Sequence, residues 1–180
     1  MKILSKGGVR AVGIAALMGV FMSVFGHVPA AHAQEAPIWQ KVCGDEKKAE
    51  TCRIVQQHFM NKVVDGKTQT IGRVVALTVI YVENQKTKKR SPYLSVDMPL
   101  GVDLRPGAVL RVDKGAEIPV AYLQCTQAGC AGSLPLTAPI LETFTKGVTI
   151  KVGFRPWGTE QVSVVEASLK GFSAAFKGIK

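Results

Sequence analysis

The spacing of apolar and polar side chains predicts an all-β protein. Val148, Ile150, Val152 and Phe154 alternate with Thr149, Lys151, Gly153 and Arg155, the period-2 pattern of a strand with one buried face. Residues 73–83 (RVVALTVIYVE) form the strongest strand. They are rich in β-branched residues and apolar on both faces, which predicts a central strand covered on both sides. Residues 38–43 and 52–60 flank a polar loop at 44–51, and 93–98, 109–114, 118–124 and 162–168 are further short strands. Turn chemistry separates them at Asp65-Gly66, Arg105-Pro106-Gly107, Lys114-Gly115 and Pro156-Trp157-Gly158. Pro99 ends the strand at 93–98 because it brings no N–H to the ladder, and Gly101 permits a tight turn. Many short strands at this spacing predict an antiparallel β-sandwich or barrel-like single domain.

Two short helices interrupt the strands. Residues 138–146 place Pro139 in a first helical turn and are followed by Gly147, an exit residue. Near 169–177 a second helix carries Leu169, Phe172, Phe176 and Ile179 as a stripe, with Lys170, Lys177 and Lys180 off it. Gly171 and Gly178 weaken that helix by about 1 kcal/mol each relative to Ala, so packing must hold it. The stripe either docks into the core or forms an exposed amphipathic contact for a membrane or partner.

Residues 1–33 read as a signal peptide. Lys2, Lys6 and Arg10 precede an apolar run at 11–25, then come Pro29 and the small-residue site Ala31-His32-Ala33. Cleavage between Ala33 and Gln34 leaves residues 34–180 as a single exported domain. The apolar run is short for a transmembrane helix, which needs about 20 residues. Across all 180 residues, 23 Lys+Arg oppose 13 Asp+Glu, for a formal charge of +10; 47% are apolar and 20% charged. That balance excludes intrinsic disorder and a multi-span membrane protein.

An exported chain meets an oxidising compartment, so Cys43, Cys52, Cys125 and Cys130 read as disulfides. Four cysteines allow three pairings. Proximity favours 43–52 with 125–130, each short loop contributing about 2–3 kcal/mol. A four-thiolate zinc site is the rival, but C-x₈-C does not match the usual knuckle spacing.

Catalytic chemistry is thin. Beyond the signal peptide His58 is the only histidine, and it shares strand parity with Cys52, Ile54, Gln56 and Met60, a structural placement. No G-x-S-x-G, Walker, Rossmann or zinc-protease motif is present, and no cofactor is expected. Asp97, Asp103, Asp113, Glu83 and Glu142 could pair in space as a hydrolase would require, although solvated edge charges are the default. The densest charge cluster is Lys86-Thr87-Lys88-Lys89-Arg90. It reads as a solvated hairpin tip, or as a candidate electrostatic contact through Lys86, Lys88, Lys89 and Arg90 with anionic lipid, lipopolysaccharide or an acidic partner. No aromatic residue is interleaved for base stacking, and export argues against a nucleic-acid partner.

Trp39 before Cys43, then Cys52 and Gln56, open a longer pattern. It continues through Met98-Pro99-Leu100-Gly101-Val102-Asp103-Leu104, Gly107, Asp113, Tyr122, Cys125, Gly129 and Cys130. Residues 141–147 and Ser168-Leu169-Lys170-Gly171-Phe172-Ser173-Ala174-Ala175 complete it. In this order the pattern resembles the invasion-associated locus B family of Gram-negative bacterial exported proteins. The resemblance implies an exported β-rich domain, periplasmic, outer-membrane-associated or secreted, with a link to host-cell entry and no catalytic residues to carry over. The expectation is therefore a non-enzymatic envelope protein that binds an envelope or host-surface component, with peripheral membrane contact open. The alternatives are an envelope-polymer hydrolase, which a deep cleft with converging carboxylates would favour, and a chaperone-like accessory. A free edge strand beside an apolar groove would favour the accessory.

Overall fold

The computed structural model describes residues 38–179; the expected signal peptide and its Ala33–Gln34 junction lie outside the described residues. In chain order the elements are β1 (Gln40–Cys43), β2 (Cys52–Val64), β3 (Lys67–Glu83), β4 (Arg90–Met98), β5 (Ala108–Val112), β6 (Glu117–Val120), β7 (Tyr122–Thr126), β8 (Gly129–Pro135), α1 (Ala138–Lys146), β9 (Thr149–Phe154), β10 (Ser163–Ser168) and α2 (Phe172–Lys177). They build a six-stranded sheet, ordered β1-β2-β3-β4-β8-β7, and a four-stranded sheet, ordered β10-β9-β5-β6. Every strand pairing is antiparallel. The inner faces meet in one core, Ile54, Leu77, Leu94 and Val96 from the larger sheet against Leu110, Ile150 and Val152 from the smaller. This is a sandwich, not a closed barrel.

The helices lie where the spacing predicts, and the stripe docks. Leu169, Phe172, Phe176 and Ile179 are all buried, so this stripe is not an exposed contact. Phe172 sits edge-on to Trp39 at 5.1 Å and packs on Phe144 and Phe176, while Phe176 stacks on Tyr81. Burying each large side chain is worth about 1.5–3 kcal/mol, which outweighs about 1 kcal/mol for each glycine. Those glycines fall at the caps of α2, Gly171 in the left-handed region at φ 82°, and leave only six residues helical.

Three expectations need correction. First, β2 and β3 extend past 60 and before 73, because Asp65 (φ 51°) and Gly66 (φ 72°) close a two-residue turn between paired Val64 and Lys67. Second, β3 is not fully covered on both sides. Val75, Leu77 and Val79 are buried inward, whereas on the outer face Ala76 is buried and Val74, Thr78 and Ile80 are half-buried. Third, the predicted strand at 118–124 is two strands in different sheets, β6 and β7, divided at Ala121. The unpredicted β8 passes close to this crossover. A Cβ on Gly132 would lie 2.7 Å from the Ala121 carbonyl oxygen, so only glycine fits there.

Candidate functional site

Both expected bridges are present, Cys43–Cys52 and Cys125–Cys130. Each joins directly opposed residues, β1 to β2 and β7 to β8. Since β1 and β7 are the outermost strands of the larger sheet, the bridges hold its two edges.

The five candidate carboxylates are engaged in separate places. Glu83 pairs with Lys88 at 3.4 Å and Glu142 with Lys146 at 2.6 Å. Asp113 accepts the Thr149 and Val148 backbone N–H groups at the start of β9, and these bonds hold its carboxyl below the ordinary range. Asp97 is half-buried on the outer face of the larger sheet. Burial raises its carboxyl, opposed by the charge of Arg73 and the Ser95 hydroxyl. His58 lies partly buried on the same strand as Gln56, and desolvation lowers its pKa. Met60, of the same parity, is exposed because β2 has there left the sandwich.

Asp103 is the exception to the solvated default: it is 2% exposed. Arg105 donates Nε to Oδ1 at 2.9 Å and Nη2 to Oδ2 at 2.7 Å, and its backbone N–H adds a bond of 3.1 Å. Arg155 donates Nε and Nη2 to Oδ2 at 3.1 and 2.7 Å. The Arg105 side-chain bonds, with further bonds from its backbone and from Arg155, hold the Asp103 carboxyl well below the usual carboxylate range. A buried carboxylate is tolerable only when paired in this way. The clamp ties the loop after β4 to the end of β9: the Asp103 N–H bonds the Arg155 carbonyl, and the Trp157 N–H bonds the Gly101 carbonyl. Trp157, 67% exposed, is held on this surface with the Arg105 guanidinium 5.5 Å from its ring centroid.

Arg155 also lines a groove of about 320 Å³ on the outer face of the smaller sheet. The floor is the cross-strand row Val109, Gly153, Val164. Gly153 makes it concave, since a Cβ there would meet only Val162 and the Val109 carbonyl at ordinary contact distance. One wall is Glu117, Arg111 and Lys151, part of a charge row that continues to Glu166 across all four strands and is ion-paired as Arg111–Glu117 and Lys151–Glu166. Glu160 faces Arg155 at the other end. Val162 and Val164 are 64% and 58% exposed, and β10, which carries Val164, is an outer strand of the sheet. The volume lies at the lower end of the range for ligand sites.

The basic cluster forms the β3–β4 hairpin tip. Asn84 Oδ1 accepts the Lys86 and Thr87 N–H groups, an Asx-type closure. Lys88 is paired with Glu83, and Arg90 donates to the Glu50 carbonyl and lies 5.3 Å from the Tyr81 ring centroid. Lys86 and Lys89 remain exposed. Sequence reasoning missed the groove and Trp157; the one local signal was Gly153 on the exposed parity of a regular strand.

Comparison with known proteins places this architecture. Residues 39–180 match the family model described as invasion associated locus B (IalB) protein. The chain belongs to the invasion associated locus B family. Two IalB relatives are the invasion protein B homologs of Brucella abortus strain 2308 and Brucella abortus biovar 1 strain 9-941. Each is 26% identical over 142 residues, covering 79% of this chain and 75% of the relative. The crystal structure of invasion associated protein b from Bartonella henselae superposes with a TM-score of 0.58 at 22% identity, covering 81% of this chain and 94% of that one. At this identity the likeness is one of fold. Several residues of the IalB pattern have structural work here: Trp39 donates to the Ser168 carbonyl at 2.9 Å, Asp113 anchors β9, and Asp103 clamps two loops.

Proposed function

We propose that this IalB protein is a non-enzymatic binding protein of the cell envelope, exported through a cleaved signal peptide. In this reading its ligand, an envelope or host-surface component, sits in the groove over Val109, Gly153 and Val164. One observation carries the reading: a preformed apolar floor with paired charges along its wall and the exposed Trp157 on the adjoining loop. Apolar floors, polar rims and exposed aromatic residues are what recognition surfaces use. The carboxylates a hydrolase would need are each held by other partners. The relatives are described as invasion proteins, so a host-surface ligand is among those this reading admits. Lys86 and Lys89 supply a second contact, for an acidic partner.

The position of β10 beside the groove favours one second reading, an accessory protein that holds an exported polypeptide by strand addition. Affinity capture from envelope extract tests both, using the parent, Gly153→Val and Lys86→Glu/Lys89→Glu. Valine fills the groove without harming the strand. The parent should retain a partner that Gly153→Val loses by about tenfold, in proportion to the ~1.4 kcal/mol of a single filled contact. Equal recovery by the parent and Gly153→Val rejects the groove. Slowed amide exchange at 163–166 in the complex would select strand addition.

A further inference from the structure

We propose that the free end of the β2–β3 hairpin is a lipid-surface anchor, whose tip enters the interface of an anionic phospholipid bilayer. β1 pairs with β2 only from Cys52 to Val55, and β4 pairs with β3 only from Ala76 to Glu83. Beyond those limits the two strands pair with each other alone. From Phe59 to Arg73 every residue except Val64 is exposed. The ribbon projects about 20 Å at the usual rise of a strand.

Its composition is unusual for a solvated arm. Phe59, Met60, Val63 and Ile71 are 51–67% exposed, and Val64 flanks the turn. Lys62 and Lys67 oppose the single anion Asp65, while Arg73 at the root of the ribbon faces Asp97. Strand alternation places Phe59 and Val63 on one face and Met60 on the other. The apolar side chains therefore ring the ribbon, which suits tip-first entry better than lying flat.

A second copy or an extended polypeptide fits less well. Adding a strand needs a continuous ladder, and the pairing shifts register between His58 and Phe59 and again between Met60 and Asn61. Such bulges twist an edge and obstruct strand addition. A second ribbon would also bring cations against cations. A bilayer interface asks for no register. It takes apolar side chains at the acyl boundary, leaves the unpaired backbone hydrated among headgroups, and attracts lysine and arginine. This anchor stands apart from the groove, and either can fail without the other.

The test is co-sedimentation of the protein, recovered from cells in its exported form, with vesicles of three parts phosphatidylcholine to one part phosphatidylglycerol and with pure phosphatidylcholine. The parent should bind the anionic vesicles, and added salt should weaken that binding. Lys62→Glu/Lys67→Glu and Phe59→Ser/Val63→Ser should each bind about tenfold more weakly or worse. Lys114→Glu/Lys177→Glu, exposed cations outside the ribbon, should bind as the parent does. The ribbon lies outside the core, so circular dichroism and intact disulfides should be unchanged in all variants. Equal binding by parent and ribbon variants overturns the proposal, as does equal binding to both vesicle types. A dimer that Phe59→Ser/Val63→Ser disperses overturns it too, by making the ribbon a self-association surface.

Discussion

Asp103 turns a short sequence block into a piece of surface. One carboxylate gathers Arg105, two positions away, and Arg155, 52 positions away, and so sets the loop that displays Trp157. Because the fold favours its ionised form, the stabilisation is fully present above the ordinary carboxylate pKa near 3.9. It is lost as pH falls through the lower value the clamp imposes. Asp103→Asn should therefore lower the melting temperature at neutral pH and flatten its fall below about pH 4. The slope will not vanish, since Asp113 is depressed as well. Melting curves from pH 7 to pH 2 decide the matter; parallel slopes for parent and variant would remove Asp103 from the acid response. The sequence suggested a solvated edge charge here because only the nearer arginine was in view. A partner 52 residues away is set by which strands neighbour one another.

Individual elements were legible where hydrophobic period and turn chemistry agreed. The strand at 149–154 and the helix at 138–146 stand as their patterns indicate. β8 was missed because Gly129-Cys130-Ala131-Gly132-Ser133-Leu134-Pro135 has little β-branched content, and its glycine answers a backbone crossing that no local pattern reveals. At α2, Phe172→Ala should cost about 3–5 kcal/mol in chemical denaturation, because Trp39, Phe144 and Phe176 all lose a ring contact. A cost below about 1 kcal/mol would mean that α2 contributes little to the core. Replacing Cys125 and Cys130 with serine should cost about 2–3 kcal/mol. Amide exchange should quicken in β7 first, while β3 and β4 stay protected; uniform quickening would contradict edge stapling.

Among the described residues, a basic hairpin tip lies at each end of β3 and a groove on the other sheet. The sandwich class was readable from strand count and turn spacing. Which faces stay open was not, because the six-stranded sheet is wider than its partner and covering depends on that mismatch. Gly153→Val is the prediction at this scale. It should leave the fold intact or slightly more stable, since valine suits a strand better than glycine. If melting drops by more than about 4–8 °C, the equivalent of 1 kcal/mol or more, the glycine serves packing and the groove loses its standing as a ligand site.

The two sulfur bridges span nine and five positions, and this bears on biosynthesis. In the exported reading Cys43 and Cys52 lie nearer the N-terminus than Cys125 and Cys130, and each pair is closer in sequence to its own partner than to any rival thiol. The second couple closes within a single hairpin. Maturation thus calls for an oxidase alone, and a host strain lacking disulfide isomerase should still yield fully and correctly bridged protein.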